Sequence, residues 1–123
     1  MKSATNVITF LLVFTICLGF TGCKRNAQPP LVLVKYGPDT VKAGEVFNKQ
    51  PDGSSAIWSE SQNATKSTVL VINETKLLTT VTGTTVVTAI VLKSLYDKQG
   101  TYSIYLVDTQ TGLKSNEMKF IVQ

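Results

Sequence analysis

The sequence predicts an all-β fold in which short strands form the two layers of a β-sandwich, preceded by an N-terminal segment that is cleaved. Short segments rich in Val, Ile, Thr and Tyr recur along the chain, and groups of turn-forming residues separate them. No longer stretch shows the spacing of apolar residues that is typical of a helix. Both observations favour a sandwich over a mixed fold.

The turns between the predicted strands have a clear chemical basis. Gly37-Pro38-Asp39 and Pro51-Asp52-Gly53 turn the chain because proline fixes one backbone angle, whereas glycine and aspartate tolerate unusual ones. Asn73-Glu74-Thr75 has a length suited to a hairpin, and we expect one helical turn over 93–96. The predicted strands cover residues 31–36, 45–50, 55–61, 67–72, 76–82, 84–92, 101–107 and 117–122.

Alternation along the strands predicts which side chains form the core. Successive side chains of a strand point to opposite faces, so every second residue shares a face. Two C-terminal strands each place three apolar residues on one face, and these six are expected to pack together. They are Tyr102, Ile104, Leu106, Met118, Phe120 and Val122. Val87, Ala89 and Val91 share a face in the same way, with Leu95 closing the end.

The N-terminal segment predicts export and lipid attachment. Lys2 supplies a positive charge, and residues 7–20 form an apolar run shorter than the ~20 residues that span a bilayer. The run ends in Phe20-Thr21-Gly22-Cys23, which resembles the lipobox of bacterial lipoprotein signal peptides. The resemblance implies cleavage after Gly22 and a lipid on Cys23. Lys24, the next residue, indicates sorting to the outer membrane.

We therefore expect three parts: a signal peptide over 1–22, a lipidated tether over 23–30 and one folded domain over 31–123. The tether ends in two prolines, which make it stiff and extended. Cys17 leaves with the signal peptide and Cys23 carries the lipid, so the folded domain has no disulfide and no free thiol. Two or three acyl chains hold a protein at a membrane permanently.

Composition argues against catalysis, metal binding and nucleic-acid binding. The chain contains no His, and its net charge of +4 is small. Its lysines are spread evenly, without the basic stripe that follows a phosphate backbone. The carboxylates lie at turns or between polar neighbours, and no motif predicts a nucleophile, a phosphate loop or a calcium loop. The sequence therefore predicts no catalytic residue, no metal site and no cofactor.

The predicted domain resembles the IPT/TIG family of immunoglobulin-like domains over residues 33–122. Pro38 and Gly44 match the family's opening turn, and later segments match in order and spacing. These segments are 69–73 with 77–80, 87–91, Ser94-Leu95, Gly100-Thr101-Tyr102, and Ser115-Asn116 leading into 120–122. The resemblance implies an immunoglobulin-like β-sandwich. Such domains serve as spacers and binding modules in surface receptors, adhesins and carbohydrate-active enzymes.

Two features are candidates for a binding surface. Trp58, the only tryptophan, faces opposite to Ile57, and we expect it to be buried in the core. An exposed Trp58 is the alternative, in which the indole stacks on a sugar ring. The second feature is a set of apolar residues on faces opposite to the predicted core, either exposed together as one patch or covered. This set consists of Val86, Ile90, Leu92, Tyr105 and Val107.

These expectations combine into two functional hypotheses. The first is a non-enzymatic lipoprotein of the bacterial cell envelope, held in the outer membrane through Cys23 and facing the periplasm or the cell surface. Its immunoglobulin-like domain then presents a binding or structural module to an envelope protein partner. The alternative is a small glycan-binding module in which Trp58 and the tyrosines contact a polysaccharide.

Overall fold

The computed structural model describes residues 29–123, so the predicted signal peptide, Cys23 and most of the tether lie outside the described residues. Nine strands and one 3₁₀ turn, Lys93–Leu95, make up this part of the chain. No helix within it is long and apolar enough to cross a membrane. The strands are β1 Val32–Gly37, β2 Thr40–Val41, β3 Ser55–Gln62, β4 Thr68–Ile72, β5 Thr75–Lys76, β6 Leu78–Thr82, β7 Val86–Val91, β8 Gly100–Asp108 and β9 Met118–Val122.

The strands form two sheets, which confirms the predicted β-sandwich. The first sheet has the order β1-β3-β7-β6, and the second has the order β2-β9-β8-β4-β5. All pairings are antiparallel except that of β2 with β9. Lettered along the chain, the sheets correspond to the A-B-E-D and G-F-C arrangements of an immunoglobulin-type sandwich.

The interior contains the side chains that alternation predicts. Ile104, Leu106 and Phe120 are fully buried, and Val122 is nearly so. Tyr102 and Met118, at the margin, are partly buried against the same core. From the first sheet, Val87, Ala89 and Val91 contribute to this core, and Leu95 joins them at the end of β7.

The predicted strand over 45–50 is wrong, because this segment is a loop. Phe47 turns inward and its ring packs edge-on against Tyr96 at 5.0 Å and near Phe120 at 6.1 Å. Asn48 adopts a φ of 42°, which is incompatible with an extended strand. The loop therefore covers the open end of the sandwich instead of joining a sheet.

The predicted strand over 76–82 is divided between the two sheets. Asn73 and Glu74 have φ values of 50° and 62° and form a two-residue hairpin turn, which confirms the predicted hairpin. The second strand of that hairpin, β5, ends at Lys76, and Leu77 carries the chain across to the first sheet. Leu77 remains tied to β4, because its N–H donates to the carbonyl of Leu70 at 2.9 Å.

A side-chain amide completes the outer edge of β1. The Leu33 N–H donates to Oδ1 of Asn116 at 2.9 Å, and Nδ2 of Asn116 donates to the Leu33 carbonyl at 3.0 Å. This pair of bonds imitates the main chain of a neighbouring strand. The register of β1 shifts between Leu33 and Lys35, which further interrupts this edge.

Asp108 organises the turn that follows β8. Its carboxylate accepts hydrogen bonds from the N–H of Gln110 at 2.9 Å and from the hydroxyl of Thr65 at 2.9 Å. The hydrogen bond from the Gln110 N–H is the main reason that the pKa of Asp108 lies below its ordinary value. The same side chain thus fixes the turn and joins it to the loop before β4.

We predict that Asp108→Asn lowers the free energy of unfolding by about 1 kcal/mol at neutral pH, because an amide cannot replace the charged acceptor fully. The lowered pKa means that the stabilisation by Asp108 is present above the unfolded-state pKa of about 3.9. It is lost as the pH falls through the lower folded-state pKa. Urea unfolding of both proteins at neutral and acidic pH measures this effect.

The exposed Asp97 provides the control for this prediction. Asp97→Asn is expected to leave the free energy of unfolding close to the wild-type value at both pH values. A difference between wild type and Asp108→Asn that stayed constant down to strongly acidic pH would contradict the assigned role of the Asp108 carboxylate.

Candidate functional site

The outer face of the first sheet places its side chains in rows across the strands. In one row, Trp58 of β3 pairs with Gly37 of β1 and with Thr88 of β7, and Thr88 pairs with Thr80 of β6. Directly opposed residues of paired strands share a face. The next row consists of Ala56, Ile90 and Leu78.

Trp58 lies on this outer face with 43% of its surface exposed, so the prediction that it is buried in the core is wrong. Ile57, its neighbour in the strand, occupies the core instead and is 1% exposed. The indole lies over Gly37, where an added Cβ would come within 2.8–2.9 Å of three ring atoms. The missing side chain at Gly37 therefore gives the indole a place against β1.

A shallow open groove of about 590 Å³ lies beside Trp58. Ala56, Leu78 and Ile90 supply its apolar lining, and the loop from Asn48 to Gln50 lines one side. Two side-chain bonds hold this loop in place. Nδ2 of Asn48 donates to the Ala56 carbonyl at 3.1 Å, and Nε2 of Gln50 donates to the Asn48 carbonyl at 2.7 Å.

A second hollow of about 360 Å³ adjoins the groove, because Ile90 lines both. Val46 and Leu92 line this hollow and are 46% and 50% exposed. Leu78, in the groove, is 79% exposed. We call the large apolar residues that line the two hollows and are exposed or half-exposed the apolar band: Val46, Trp58, Leu78, Ile90 and Leu92.

The structure brings three of the six predicted surface residues together, since Trp58, Ile90 and Leu92 belong to the apolar band. Val86 is 40% exposed on the same face, but it lies opposite Glu60, two rows away from Ile90. The Glu60 carboxylate is 4.0 Å from Nζ of Lys35, so the surroundings of Val86 are charged. Val86 lies one row beyond Trp58, but it lines neither hollow and is therefore not counted in the apolar band.

Tyr105 lies on the second sheet, on the opposite side of the sandwich from the apolar band. The single patch expected from Val86, Ile90, Leu92, Tyr105 and Val107 is therefore not formed. Nζ of Lys114 lies 4.2 Å from the centre of the Tyr105 ring and 2.6 Å from Oε2 of Glu117. The hydrogen bond to Glu117 raises the pKa of Lys114.

Two members of the apolar band, Val46 and Leu78, were not predicted from the sequence. Leu78 could have been found by alternation, because the inward positions Thr79 and Val81 place it on the outside of β6. Val46 follows no strand pattern, since it belongs to the loop that Phe47 anchors. Its exposure depends on that loop lying across the end of the sandwich.

The chemistry of the site is that of binding by apolar contact. Lys49 is the one charged residue that lines the groove, and the other polar groups there are amides and hydroxyls. Over residues 29–123, no three of the His, Cys, Asp and Glu side chains lie close enough together to hold a metal ion. The arrangement suits a ligand with apolar surface and a few hydrogen-bonding groups at its margin.

We predict that Gly37→Ala displaces the Trp58 indole, because the new methyl group would overlap the ring. The displaced indole is expected to be more accessible to water, so iodide should quench tryptophan fluorescence more strongly. Val34→Ala, at an exposed position of the same strand, is the control and should leave quenching unchanged. Equal quenching in all three proteins would show that Gly37 does not position the indole.

Comparison with known proteins adds no family to these observations. No protein-family model matches the chain, and no curated protein is significantly similar to it. The interpretation of the apolar band rests on its own residues and on their position in the sandwich.

Proposed function

We propose that this chain is a non-enzymatic lipoprotein of the bacterial cell envelope, anchored in the outer membrane through a lipid on Cys23. Its folded part, residues 31–123, acts as an IPT/TIG-like domain that presents the apolar band to a protein partner. The observation that carries this proposal is the cluster of exposed apolar side chains on one region of a sheet face. The lipobox-like segment before Cys23 supports the anchor.

The composition of the apolar band supports a protein partner. Isolated exposed apolar residues are common on protein surfaces, but adjoining ones mark contact sites more often. Leu78, Leu92 and Val46 are aliphatic and at least 46% exposed. Leu78 lines the same groove as the exposed Trp58, and Leu92 and Val46 line the adjoining hollow. Tryptophan is among the residues that contribute most to binding energy at protein interfaces.

The position of the tether also supports this proposal. The chain enters the sandwich at Pro30, whose carbonyl accepts a hydrogen bond from Nδ2 of Asn63 at 2.7 Å. Val32 then pairs with Gln62, at the end of β3 farthest from Ala56. Gln62 and Ala56 are six positions apart along β3, which corresponds to about 20 Å. A lipid anchor before Pro30 would leave the apolar band at the opposite end of the first sheet.

Glycan binding is the second candidate function, and the exposure of Trp58 is the observation that favours it. The amides of Asn48 and Gln50 beside the groove provide hydrogen-bonding groups that sugars also use. The tyrosines do not join Trp58. Tyr96 is buried, Tyr102 and Tyr105 lie on the second sheet, and Tyr36 packs against the core. The aliphatic remainder of the apolar band therefore favours a protein surface as the ligand.

We predict that Cys23→Ser abolishes metabolic labelling with palmitate and moves the protein out of the membrane fraction. Serine lacks the thiol whose sulfur forms the thioether to the lipid, and without acyl chains the domain has no permanent anchor. Cys17→Ser is the matched control, because this residue lies inside the proposed signal peptide and should leave labelling intact. A Cys23→Ser protein that kept its label would refute lipidation at this position.

We predict that a photo-crosslinking residue in place of Thr88 captures an envelope protein in intact cells, because Thr88 lies in the groove beside Trp58. Leu92→Glu in the same chain should reduce the capture at least about tenfold, since it places a charge in the apolar band. The captured protein is measured by immunoblot and identified by mass spectrometry.

Ile121→Glu is the matched control for Leu92→Glu, because Ile121 is an exposed aliphatic residue on the second sheet. Capture should remain at the wild-type amount in this variant. Equal capture by both glutamate variants would refute binding through the apolar band. A change in Trp58 fluorescence with polysaccharides, together with no protein capture, would favour the glycan-binding function.

A further inference from the structure

The two sheets have four outer edges, and three of them are protected against pairing with another strand. The β1 edge carries the Asn116 amide on Leu33, a register shift and the exposed Lys35. The β2 and β5 edges are two residues long, and β5 includes Lys76. Short length, lysine and irregular pairing are the usual devices that prevent edge-to-edge association.

The β6 edge has none of these devices. No charged residue and no proline lies between Lys76 and Lys93, which covers all of β6 and β7. The pairing of β6 with β7 is regular over all five residues of β6. A regular, uncharged edge strand in a domain that protects its other edges is a candidate for strand pairing.

Alternation along β6 shows which main-chain groups face outward. The Leu77 N–H points away from β7, since it donates to Leu70 of β4. Strand groups alternate sides with a period of two, so Thr79 and Val81 direct their N–H and C=O groups to the same free side. The neighbouring N–H of Leu70 is already bonded to the Thr79 hydroxyl at 3.0 Å.

We propose that β6 is the dimerisation edge of this protein, where it pairs antiparallel with β6 of a second copy. A two-fold axis at Thr80 sets Thr79 of each copy opposite Val81 of the other, and each of these residues can then donate and accept one hydrogen bond. Thr80 lies opposite Thr80 of the second copy in the centre. The four-stranded first sheet of one copy then joins that of the other into one sheet of eight strands.

The charges and the register explain why a second copy suits this edge. Residues 29–123 contain nine lysines and eight carboxylates, so two copies repel each other only weakly. The two β6 strands are themselves neutral, and threonine pairs across strands are favourable. A slip by one residue between the copies would set inward side chains opposite outward ones. An axis at Thr80 is the register that pairs Thr79 of each copy with Val81 of the other.

This inference goes beyond the proposed function, because Val46, Trp58 and Leu92 remain uncovered when β6 pairs. A dimer carries two apolar bands on one continuous sheet face. Leu78 and Thr80 of β6 also line the groove, so partner contact is tested in chains that keep both residues and dimerisation is tested with substitutions at Thr80.

Cysteine crosslinking of the full chain in intact cells tests the dimer. Two central residues of an antiparallel pair have Cβ atoms close enough for a disulfide. Thr80→Cys should give a species of doubled mass on a non-reducing gel that disappears on reduction. Thr101→Cys, an exposed threonine on the second sheet, and the unsubstituted chain should give none.

A charge exchange at the same position provides the second measurement. Chains with Thr80→Lys and Thr80→Glu, carrying different tags, should co-purify at least about fivefold more than two like-charged chains do, since opposed like charges destabilise a strand pair. Thr80→Cys that crosslinks no more than Thr101→Cys overturns the proposal. Equal co-purification of like and unlike pairs, or crosslinking of Thr80→Cys to a different protein, overturns it as well. None of these results would affect the proposed partner binding, because that proposal is tested by crosslinking from position 88 and by Leu92→Glu.

Discussion

The apolar interior between the two sheets carries the stability of residues 29–123, because this part of the sequence contains no cysteine and its described ion pairs are exposed. Phe120, Ile104 and Leu106 are fully buried, so the second sheet contributes side chains over most of its width. The loop with Phe47 covers one end of this interior. The interior also determines which side chains of each strand are exposed, because a residue that points inward is followed by one that points outward.

That constraint explains which parts of the fold could be predicted from the sequence. The cores of β7, β8 and β9 could be predicted, because their apolar residues alternate without interruption. The loop over 45–50 could not, because its β-like composition gives no sign of the left-handed backbone at Asn48. Trp58 was assigned to the wrong environment, since its position depends on Gly37 as cross-strand partner, and only the register reveals that partner.

The residues of the candidate site could also be predicted only in part from the periodicity of the strands. Periodicity tells which residues of one strand share a face, but it does not tell to which sheet the strand belongs. Ile90 and Tyr105 both lie on outward faces of consecutive strands, yet β7 and β8 belong to different sheets. The connection through the 3₁₀ turn passes from one sheet to the other, and Leu95 and Tyr96 are buried there. The apolar band is therefore built from β3, β6, β7 and the loop before β3, which are distant in sequence.

The Asn116 amide protects the β1 edge from pairing with other chains, and this protection arises late in synthesis. This residue is 83 positions away from Leu33, whose main chain it covers. During synthesis the N-terminal strand emerges long before the residue that shields it. Until the last segment arrives, an incomplete molecule exposes a strand ready to pair with other nascent chains, and a holding chaperone would find its binding site there.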